Sequence, residues 1–428
     1  RDIEDTMRVC KPMLVNLKYG RGLVPTFIPG KNLEAVLEPA AVPCSNDSMV
    51  SIGQALETPV GTCPVEQLVR PGQKVIIIVS DATRPCPTHL LLPPLLYKLS
   101  RGGIKDTYIK ILFATGTHRP STPEEKERLL GKEIAGRLAC IDHRCNDDEA
   151  MVLIGRSSYG NPITINKEVM EADVRIAIAN IDLHVFAGYS GGSKTVMPGA
   201  AGLETIMKNH EMIYGFPGET RAGLLENPIR KEIDEGGRMA GLDFILNVVL
   251  DDGGQIIHVA AGHPESAFLE GVKVCDSVYK RPLVNRGDIV LASAGGYPKD
   301  INFYQAQKAL DYASLAVKDG GTIILLAECS EGIGSDSLSE FLQNAASWDL
   351  VVDRGRQKKS YHPYGLRGLV GRGIEVFLVS EIPQELIETT PLRPFHQIGT
   401  ALDVALEKHG SVAGIVLMPY AGSTLPCG

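Results

Sequence analysis

Patterns typical of buried strands alternate with helical patterns along most of this chain. Seven short runs of β-branched and other apolar residues are typical of strands covered on both faces. They are Lys74–Ser80, Ile109–Ala114, Val174–Ala179, Asp288–Ala292, Thr322–Ala327, Glu375–Val379 and Ile415–Met418. Helical patterns lie between several of them, for example at Ser121–Leu130 and Tyr304–Val317. This alternation predicts an α/β architecture with mostly parallel sheets.

The chain is long enough for two domains. It has 428 residues, of which 44% are hydrophobic, so it can supply two ordinary buried cores. The basic, proline-containing segment Tyr279–Gly287 precedes a new strand and is typical of a domain boundary. The sequence therefore predicts an N-terminal domain over residues 1–280 and a C-terminal domain over residues 281–428.

Composition and charge argue against several kinds of partner. The net charge is −8 and the basic residues are spread along the chain, which gives no support for nucleic-acid binding through phosphate neutralisation. The longest apolar runs have only the length of a strand, so we expect no membrane-spanning helix. The nine cysteines form no CxxC pair and are typical of reduced thiols. No signal peptide is visible, and we expect a cytoplasmic protein.

Short polar or glycine-containing loops directly follow four of the predicted strands. They start at Ser80, Ala114, Asn180 and Ser293. Ligands of open α/β sheets bind at the carboxyl ends of the strands. We therefore expect these four loops to converge on one site.

The first of these loops contains two charged residues, Asp81 and Arg84. Charge at the end of a buried strand is costly unless it is paired or used. The two residues could form a structural pair that caps the turn. Alternatively, the planar guanidinium of Arg84 could bind a carboxylate or a phosphate.

Two histidines follow separate strands. His118 comes after the second strand, next to a glycine and an Arg-Pro pair, and His184 comes after the third. Either histidine alone could be structural. Together they could flank one substrate as an acid–base pair, because imidazole titrates near neutral pH.

A glycine-rich bend leads from His184 to Lys194 and resembles an incomplete P-loop. Its glycines let the backbone approach a ligand closely. However, Ser193 occupies the position of the second P-loop glycine. Two interpretations stay open at this point: the loop binds the phosphate of a nucleotide in a hydrolase or kinase, or Lys194 has a different role.

His210 ends the helical pattern that follows the glycine-rich bend. It could interact with the dipole at a helix C-terminus, or it could bind a metal ion. No second ligand lies nearby at helical spacing. Any metal would therefore have to be held largely by a group that is not protein.

Tyr304, Gln305 and Lys308 open a predicted helix near the last of the four loops. Gln305 and Lys308 are three residues apart and so share a helix face. They could bind a carboxylate and a hydroxyl group, although a solvated helix face has the same spacing.

Taken together, these motifs resemble the nickel-dependent lactate racemase family. The motifs that carry the resemblance agree in order and spacing along essentially the whole chain. They are Ser-Asp-Ala-Thr-Arg-Pro (80–85), Ala-Thr-Gly-Thr-His-Arg-Pro (114–120), the segment 184–194 with His210, Tyr-Gln-x-x-Lys (304–308), and the closing Met-Pro-Tyr-Ala-Gly-Ser-Thr-Leu-Pro (418–426).

The resemblance implies a two-domain α/β fold with the active site in the interdomain cleft. It also implies a nickel-pincer nucleotide, a pyridinium mononucleotide that binds nickel through two sulfurs and a ring carbon. By position, Lys194 would be linked covalently to this cofactor and His210 would be the fourth nickel ligand. His118 and His184 would be the acid–base pair. The remaining positions would contact the nucleotide (Asp81, Ala82, Thr83 and Arg84) and the substrate (Arg84, Tyr304, Gln305 and Lys308).

The implied reaction inverts the C2 centre of a 2-hydroxy acid. Removal of the proton on C2 would give a very unstable carbanion, because a carboxylate is a poor electron sink. Hydride transfer to the cofactor avoids this carbanion: it gives a planar 2-keto acid, to which hydride returns on the other face. A histidine takes the hydroxyl proton and a histidine returns it, so each would serve one enantiomer.

One departure from the family pattern concerns the substrate. The lactate enzyme has a tryptophan near its substrate, whereas the only tryptophan here is Trp348 and the nearby stretch Asp353–Tyr364 is basic and polar. This stretch could be a solvated loop, or it could favour a larger or more polar 2-hydroxy acid than lactate, such as malate or an aldonate. A non-catalytic homologue that binds ligand is the remaining alternative, and a homodimer is compatible with either interpretation.

Overall fold

The computed structural model describes residues 12–42, 47–216 and 218–428. The strands in chain order are β1 Met13–Tyr19, β2 Gly22–Ile28, β3 Leu33–Val36, β4 Val75–Ser80, β5 Ile109–Ala114, β6 Ala139–Asp142, β7 Met151–Arg156, β8 Pro162–Asn166, β9 Val174–Asn180, β10 Leu183–His184, β11 Gly188–Tyr189, β12 Phe244–Leu250, β13 Ile256–Gly262, β14 Lys280–Pro282, β15 Gly287–Ser293, β16 Val317–Leu326, β17 Glu375–Val379, β18 Leu392–Phe395, β19 Ile415–Met418 and β20 Leu425–Cys427.

The helices alternate with these strands. In chain order they are α1 Ser48–Glu57, α2 Val65–Leu68, α3 Thr88–Arg101, α4 Pro123–Leu130, α5 Lys132–Arg137, α6 Lys167–Met170, α7 Leu203–Gly215, α8 Pro228–Met239, α9 Pro264–Tyr279, α10 Phe303–Ala316, α11 Asp336–Leu342, α12 Trp348–Gln357 and α13 Ile398–His409. Within the described ranges, no helix has both the length and the apolar composition needed to cross a bilayer.

The chain divides into two compact units. The central unit consists of the described residues of Ala41–Ser277, and the terminal unit combines the described residues up to Ala40 with Val278–Gly428. This division lies close to the boundary that we predicted after residue 280. It differs for the described residues up to Ala40, which we had assigned to the N-terminal domain. They group with the C-terminal part because β3 pairs in parallel with β19.

The central unit is built on a six-stranded sheet with the order β13-β12-β9-β4-β5-β6. Every pair in it is parallel except β12 with the edge strand β13. All six residues of β4 are buried. Ile77 and Val79 belong to one hydrophobic cluster, and Ile76 and Ile78 belong to another. The alternation of side chains therefore buries both faces of the strand, which explains its unbroken apolar sequence.

The terminal unit contains a second six-stranded sheet with the order β18-β17-β16-β15-β19-β3. All of its strand pairs are parallel. The predicted α/β class with mostly parallel sheets is thus confirmed, and each of the seven predicted strands is present. The β12–β13 pair was not predicted.

The parallel register decides which loops can meet. β4, β5 and β9 are neighbours in the central sheet, so the loops that begin at Ser80, Ala114 and Asn180 leave the same edge. The fourth loop follows Ser293 at the end of β15, which belongs to the other sheet. The central unit therefore brings together three of the four loops that we expected to converge.

Seven cysteines lie in the described part of the chain, and all seven are free thiols. They are Cys63, Cys86, Cys140, Cys145, Cys275, Cys329 and Cys427. Cys10 and Cys44, which we also expect to be reduced, lie outside the described residues.

Candidate active site

Asp81 and His118 form a hydrogen-bonded pair between the first two loops. Asp81 is 4% exposed, and its Oδ2 lies 2.7 Å from Nδ1 of His118. Its Oδ1 accepts from the main-chain N–H and from the hydroxyl of Thr83, at 2.9 and 2.6 Å. Burial raises the pKa of the Asp81 carboxyl, but the hydrogen bonds from His118 and Thr83 outweigh burial and lower the pKa below its usual value. Asp81 is therefore ionised.

The structural pair that we considered between Asp81 and Arg84 does not form. Among the described residues, no ion pair joins the two side chains, and the carboxylate is occupied by His118 and Thr83. The side chain of Arg84 is exposed at the end of the loop, whereas Ala82 packs against the core. The positive charge of Arg84 acts on Lys194, so these two side chains share one electrostatic environment.

The glycine-rich bend needs its glycines for steric reasons. Gly188 and Gly191 have φ values of 76° and 79°, which side chains rarely adopt. A Cβ at Gly188 would lie 2.1 Å from the carbonyl oxygen of Leu224. Glycine at this position is therefore dictated by a close approach of two backbone segments.

The geometry around Lys194 contradicts the P-loop interpretation. Lys194 lies in a short 3-10 turn, Gly192–Thr195, and the next α-helix begins only at Leu203. The N–H of Gly192 donates to Oδ1 of Asn247 at 2.7 Å. A P-loop requires a helix that starts at the lysine, and it leaves its loop N–H groups for the phosphates.

Arg230, which we did not predict as a residue of this site, forms hydrogen bonds with the same bend. It is 1% exposed, and its Nη1 donates to the carbonyls of Gly191 and Tyr189 at 3.2 and 3.4 Å. Its charge is balanced by Asp234, to which Nε donates at 3.0 Å. The guanidinium also lies 4.1 Å from the ring centroid of Phe268. Because a planar fork reaches several acceptors at once, Arg230 holds the loop in one conformation.

Lys194 is half-buried at the tip of this bend. Burial, together with the nearby charges of Arg84 and Arg230, lowers its pKa to about 7, although Asp81 opposes the shift. A substantial share of the amine is therefore neutral at physiological pH. A neutral amine is nucleophilic, whereas an ammonium group is not.

His210 is also neutral, and one phenylalanine links it to His184. Burial, and then the charge of Lys194, lower the pKa of His210 to about 3. The ring of Phe186 packs edge-on against His210 at 5.0 Å and against His184 at 4.6 Å between ring centroids. α7 continues to Gly215, so His210 is not at the helix C-terminus and the dipole interpretation is wrong. A neutral imidazole keeps a lone pair that can bind a metal.

His184 lies on the short strand β10, which pairs with β11 at the start of the glycine-rich bend. Its Nδ1 accepts a hydrogen bond from the main-chain N–H of Ala187 at 3.2 Å. In the residues that the structure describes, no three His, Cys, Asp or Glu side chains form a cluster able to hold a metal ion.

The predicted substrate residues of the terminal unit share the first turns of α10. Asn302 caps this helix, since its side chain accepts from the N–H of Gln305 at 3.0 Å. Gln305 is exposed and Lys308 is half-buried. The ring of Tyr304 packs edge-on against His362, at 5.2 Å between ring centroids.

The basic stretch that we singled out forms the end of α12 and the segment after it, and one of its arginines has a structural role. Arg354 lies on α12 and donates to the carbonyls of Phe341 and Gln343 at 2.8 and 2.7 Å, and Lys358 pairs with Glu340 at 2.7 Å. Trp348 is buried, and its indole N–H donates to the carbonyl of Ile374. Arg354 thus stabilises the local fold, whereas the Lys358–Glu340 pair lies on the surface. His362, beside Tyr304, is the member of this stretch that lies next to a predicted substrate residue.

Three residues that contact the site were not predicted, and only one of them had a usable signal in the sequence. Asn247 is a polar residue within the otherwise apolar strand Phe244–Leu250, which could have marked it as a buried hydrogen-bonding residue. Asp234 follows Arg230 by four residues. Because this spacing is common on exposed helices, it gave no sign that Arg230 is buried. Phe186 resembles any apolar loop residue.

Comparisons with known proteins show the family to which this chain belongs. The family model for the lactate racemase N-terminal domain matches residues 19–221, and the model for the lactate racemase C-terminal domain matches residues 284–424. The lactate racemase of Lactiplantibacillus plantarum is 37% identical over 416 residues, which cover 95% of this chain and 97% of that protein. The lactate racemase of Thermoanaerobacterium thermosaccharolyticum is 33% identical over 405 residues, which cover 91% and 94%.

Solved structures show the same fold. The lactate racemase apoprotein from T. thermosaccharolyticum has a TM-score of 0.89 at 31% identity, covering 97% of this chain and 100% of that one. A protein from Thermotoga maritima, with a TM-score of 0.65 and 19% identity over 91% of this chain and 100% of its own, shares the fold alone. The chain is therefore an α/β isomerase of the racemase class. More particularly, since both family models and both curated relatives match it, the chain belongs to the lactate racemase family.

Proposed function

We propose that this protein racemises or epimerises the C2 centre of a 2-hydroxy acid by way of a 2-keto acid. The observation that carries the proposal is the pair formed by a nucleophilic lysine and a neutral histidine in one loop-and-helix segment: the pKa of Lys194 is about 7 and that of His210 is about 3. Both curated relatives bear the name lactate racemase, which supports the reaction type and a 2-hydroxy acid substrate.

The residues present fit a nickel-pincer nucleotide. The neutral amine of Lys194 suits a covalent thioamide link, and the lone pair of His210 suits one position on nickel. The lack of a three-residue metal cluster in the described chain fits a metal whose other ligands come from an organic group. When bound, this cofactor supplies a hydride acceptor and donor.

His118 and His184 are proposed as the groups that move the hydroxyl proton. The carboxylate of Asp81 orients the ring of His118 through the hydrogen bond at Nδ1. Thr83 in turn holds Asp81, so these residues act on the reaction through His118. Arg84 is suited to a carboxylate because its exposed guanidinium offers parallel N–H donors.

Tyr304, Gln305 and Lys308 are proposed to bind the substrate. The charge of Lys308 suits the carboxylate, and the amide of Gln305 suits a hydroxyl group. His362 packs against Tyr304, so a polar ring lies beside a proposed substrate residue. Lactate fits the named relatives, whereas a larger or more polar acid, such as malate or an aldonate, fits this polar neighbour.

The test is an assay of cofactor-loaded protein on a panel of single-enantiomer 2-hydroxy acids, including lactate, malate and aldonates. Interconversion with transient 2-keto acid is expected for at least one member. In parallel, the intact mass and nickel content of wild type are compared with those of Lys194→Ala and Lys194→Arg. The mass increment should vanish in both variants, because only a primary amine can form the thioamide.

Lys132→Ala serves as a matched control, since this lysine is exposed on α5. It should keep both the mass increment and the nickel. The same added mass on Lys194→Ala would contradict the covalent link. A loaded protein that converts none of the acids would contradict the proposed reaction.

A further inference from the structure

The hydrogen-bond partners of His118 determine which ring nitrogen carries the proton. Asp81 is a carboxylate in the folded protein, and an ionised carboxylate can only accept. Its Oδ2 lies 2.7 Å from Nδ1 of His118, so Nδ1 must carry a hydrogen. In the neutral ring this leaves the lone pair on Nε2.

The partner of His184 imposes the opposite arrangement. The main-chain N–H of Ala187 can only donate, and it points at Nδ1 of His184 at 3.2 Å. Nδ1 must therefore be the unprotonated nitrogen. In the neutral ring the hydrogen is then on Nε2.

We infer that the resting protein holds its two histidines in opposite tautomers: His118 presents a lone pair at Nε2, where it can accept a proton, and His184 presents an N–H at Nε2, where it can donate a hydrogen bond. Asp81 is the positioning residue for the first ring, and the turn from His184 to Ala187 positions the second. The two histidines are therefore not interchangeable, although sequence alone gives them equal roles.

This inference deepens the proposed function and rests on it for its consequence in turnover. An enantiomer whose hydroxyl group meets His118 encounters a base that is ready, because the ring already presents a lone pair at Nε2. An enantiomer whose hydroxyl group meets His184 encounters an N–H. His184 must first change tautomer and give up the bond from Ala187 before it can act as a base.

The tautomers can be measured without cofactor, substrate or activity. Protein labelled with ¹⁵N at histidine is examined by two-bond ¹H–¹⁵N correlation at about pH 8, where a free imidazole is neutral. His118→Gln and His184→Gln assign the two rings among the ten histidines. We expect a protonated Nδ1 for His118, and an unprotonated Nδ1 with a protonated Nε2 for His184.

Asp81→Asn tests the positioning role directly. Oδ1 of Asp81 faces the two donors of Thr83, so the asparagine oxygen must take that place and its NH₂ group must face His118. An NH₂ donor forces Nδ1 of His118 to accept, which moves the ring proton to Nε2. We expect His118 to switch tautomer while His184 keeps its own, and kcat of the loaded enzyme to fall about 10²- to 10⁴-fold.

Asp147→Asn is the matched control. Asp147 is exposed and accepts from the N–H of Ala150 at 3.3 Å, a bond that asparagine replaces equally well. It should leave both tautomers unchanged. An unprotonated Nδ1 on His118, a protonated Nδ1 on His184, or an Asp81→Asn spectrum in which His118 has not switched would each overturn the inference. Opposite tautomers in a protein that racemises nothing would overturn only the proposed function.

Discussion

Arg230 donates from Nη1 to the main-chain carbonyl of Gly191 at 3.2 Å, so a fully buried cation fixes the loop that carries Lys194. Arg230 thereby affects both the position and the pKa of the lysine. Its fork holds the backbone of the glycine-rich bend, and its charge contributes to the low pKa of Lys194. Position and reactivity of the lysine are thus linked through a residue that contacts neither substrate nor cofactor in the proposed reaction.

Arg230→Met should destabilise the protein by about 2–5 kcal/mol. The variant keeps the length and the apolar part of the side chain, but it leaves Asp234 and the Gly191 carbonyl without their charged donor. Urea unfolding followed by circular dichroism measures the loss. Arg128→Met, at an exposed position of α4, should change the free energy of unfolding by less than about 0.5 kcal/mol. Equal effects of the two changes would show that Arg230 has no special structural role.

Lys194 should react with a small amine-acylating reagent, such as acetic anhydride, at a lower pH than an ordinary lysine. Its folded-state pKa of about 7 lies below that of a free amine, so the reactive neutral fraction grows as pH rises through 7. Peptide mapping by mass spectrometry after brief labelling gives the titration curve of this site. Arg230→Met should move the curve to higher pH, because one nearby positive charge is removed. A curve that rises only near pH 10, as for free lysine, would disprove the shift.

His118→Ala and His184→Ala should each cripple racemisation in both directions. Inversion needs a group on each side of the substrate, and an acid–base contribution of this kind is worth about 10²–10⁴-fold in rate. Each single variant should still form bound 2-keto acid from the enantiomer that the remaining histidine serves. Polarimetry and keto-acid trapping measure the two steps. Racemisation within a few-fold of wild type would make the replaced histidine a structural residue.

His210→Ala should lose nickel and keep part of the organic cofactor. One proposed metal ligand disappears, whereas the link through Lys194 remains. Elemental analysis gives the nickel content, and intact mass gives the cofactor content. His89→Ala, at an exposed histidine of α3, should keep both at wild-type levels. An unchanged nickel content in His210→Ala would exclude this residue as a ligand.

Gly188→Ala should destabilise the protein by about 2–5 kcal/mol, more than Gly160→Ala, which should cost about 1–2 kcal/mol. Both glycines have positive φ, 76° and 81°. A Cβ at Gly188 meets the Leu224 carbonyl at 2.1 Å, whereas one at Gly160 meets nothing within 4 Å. The difference in free energy of unfolding between the two variants, measured by thermal or urea unfolding, isolates the effect of the clash with Leu224. Equal losses of stability in the two variants would mean that the backbone near Leu224 shifts to make room for the methyl group.

The sequence by itself determined seven of the buried parallel strands and the residues available for chemistry. Continuous β-branched runs such as Val75–Ser80 predicted buried parallel strands, because only strands covered on both faces can be apolar at every position. The loops that follow these strands marked Asp81, Arg84, His118 and His184 as candidate site residues, and the glycine-rich bend marked Lys194.

Only the tertiary structure decided the partners. Asp81 pairs with His118, 37 residues away, rather than with Arg84 in its own loop, because neighbouring parallel strands place their following loops side by side. Arg230 reaches Gly191 only because α8 packs beneath the glycine-rich bend. Such contacts depend on which strands are neighbours in the sheet and which helices cover them, and no local pattern of residues encodes that arrangement. The tautomers of the two histidines follow from the same cause, since a ring nitrogen takes its protonation from whatever group the fold places opposite it.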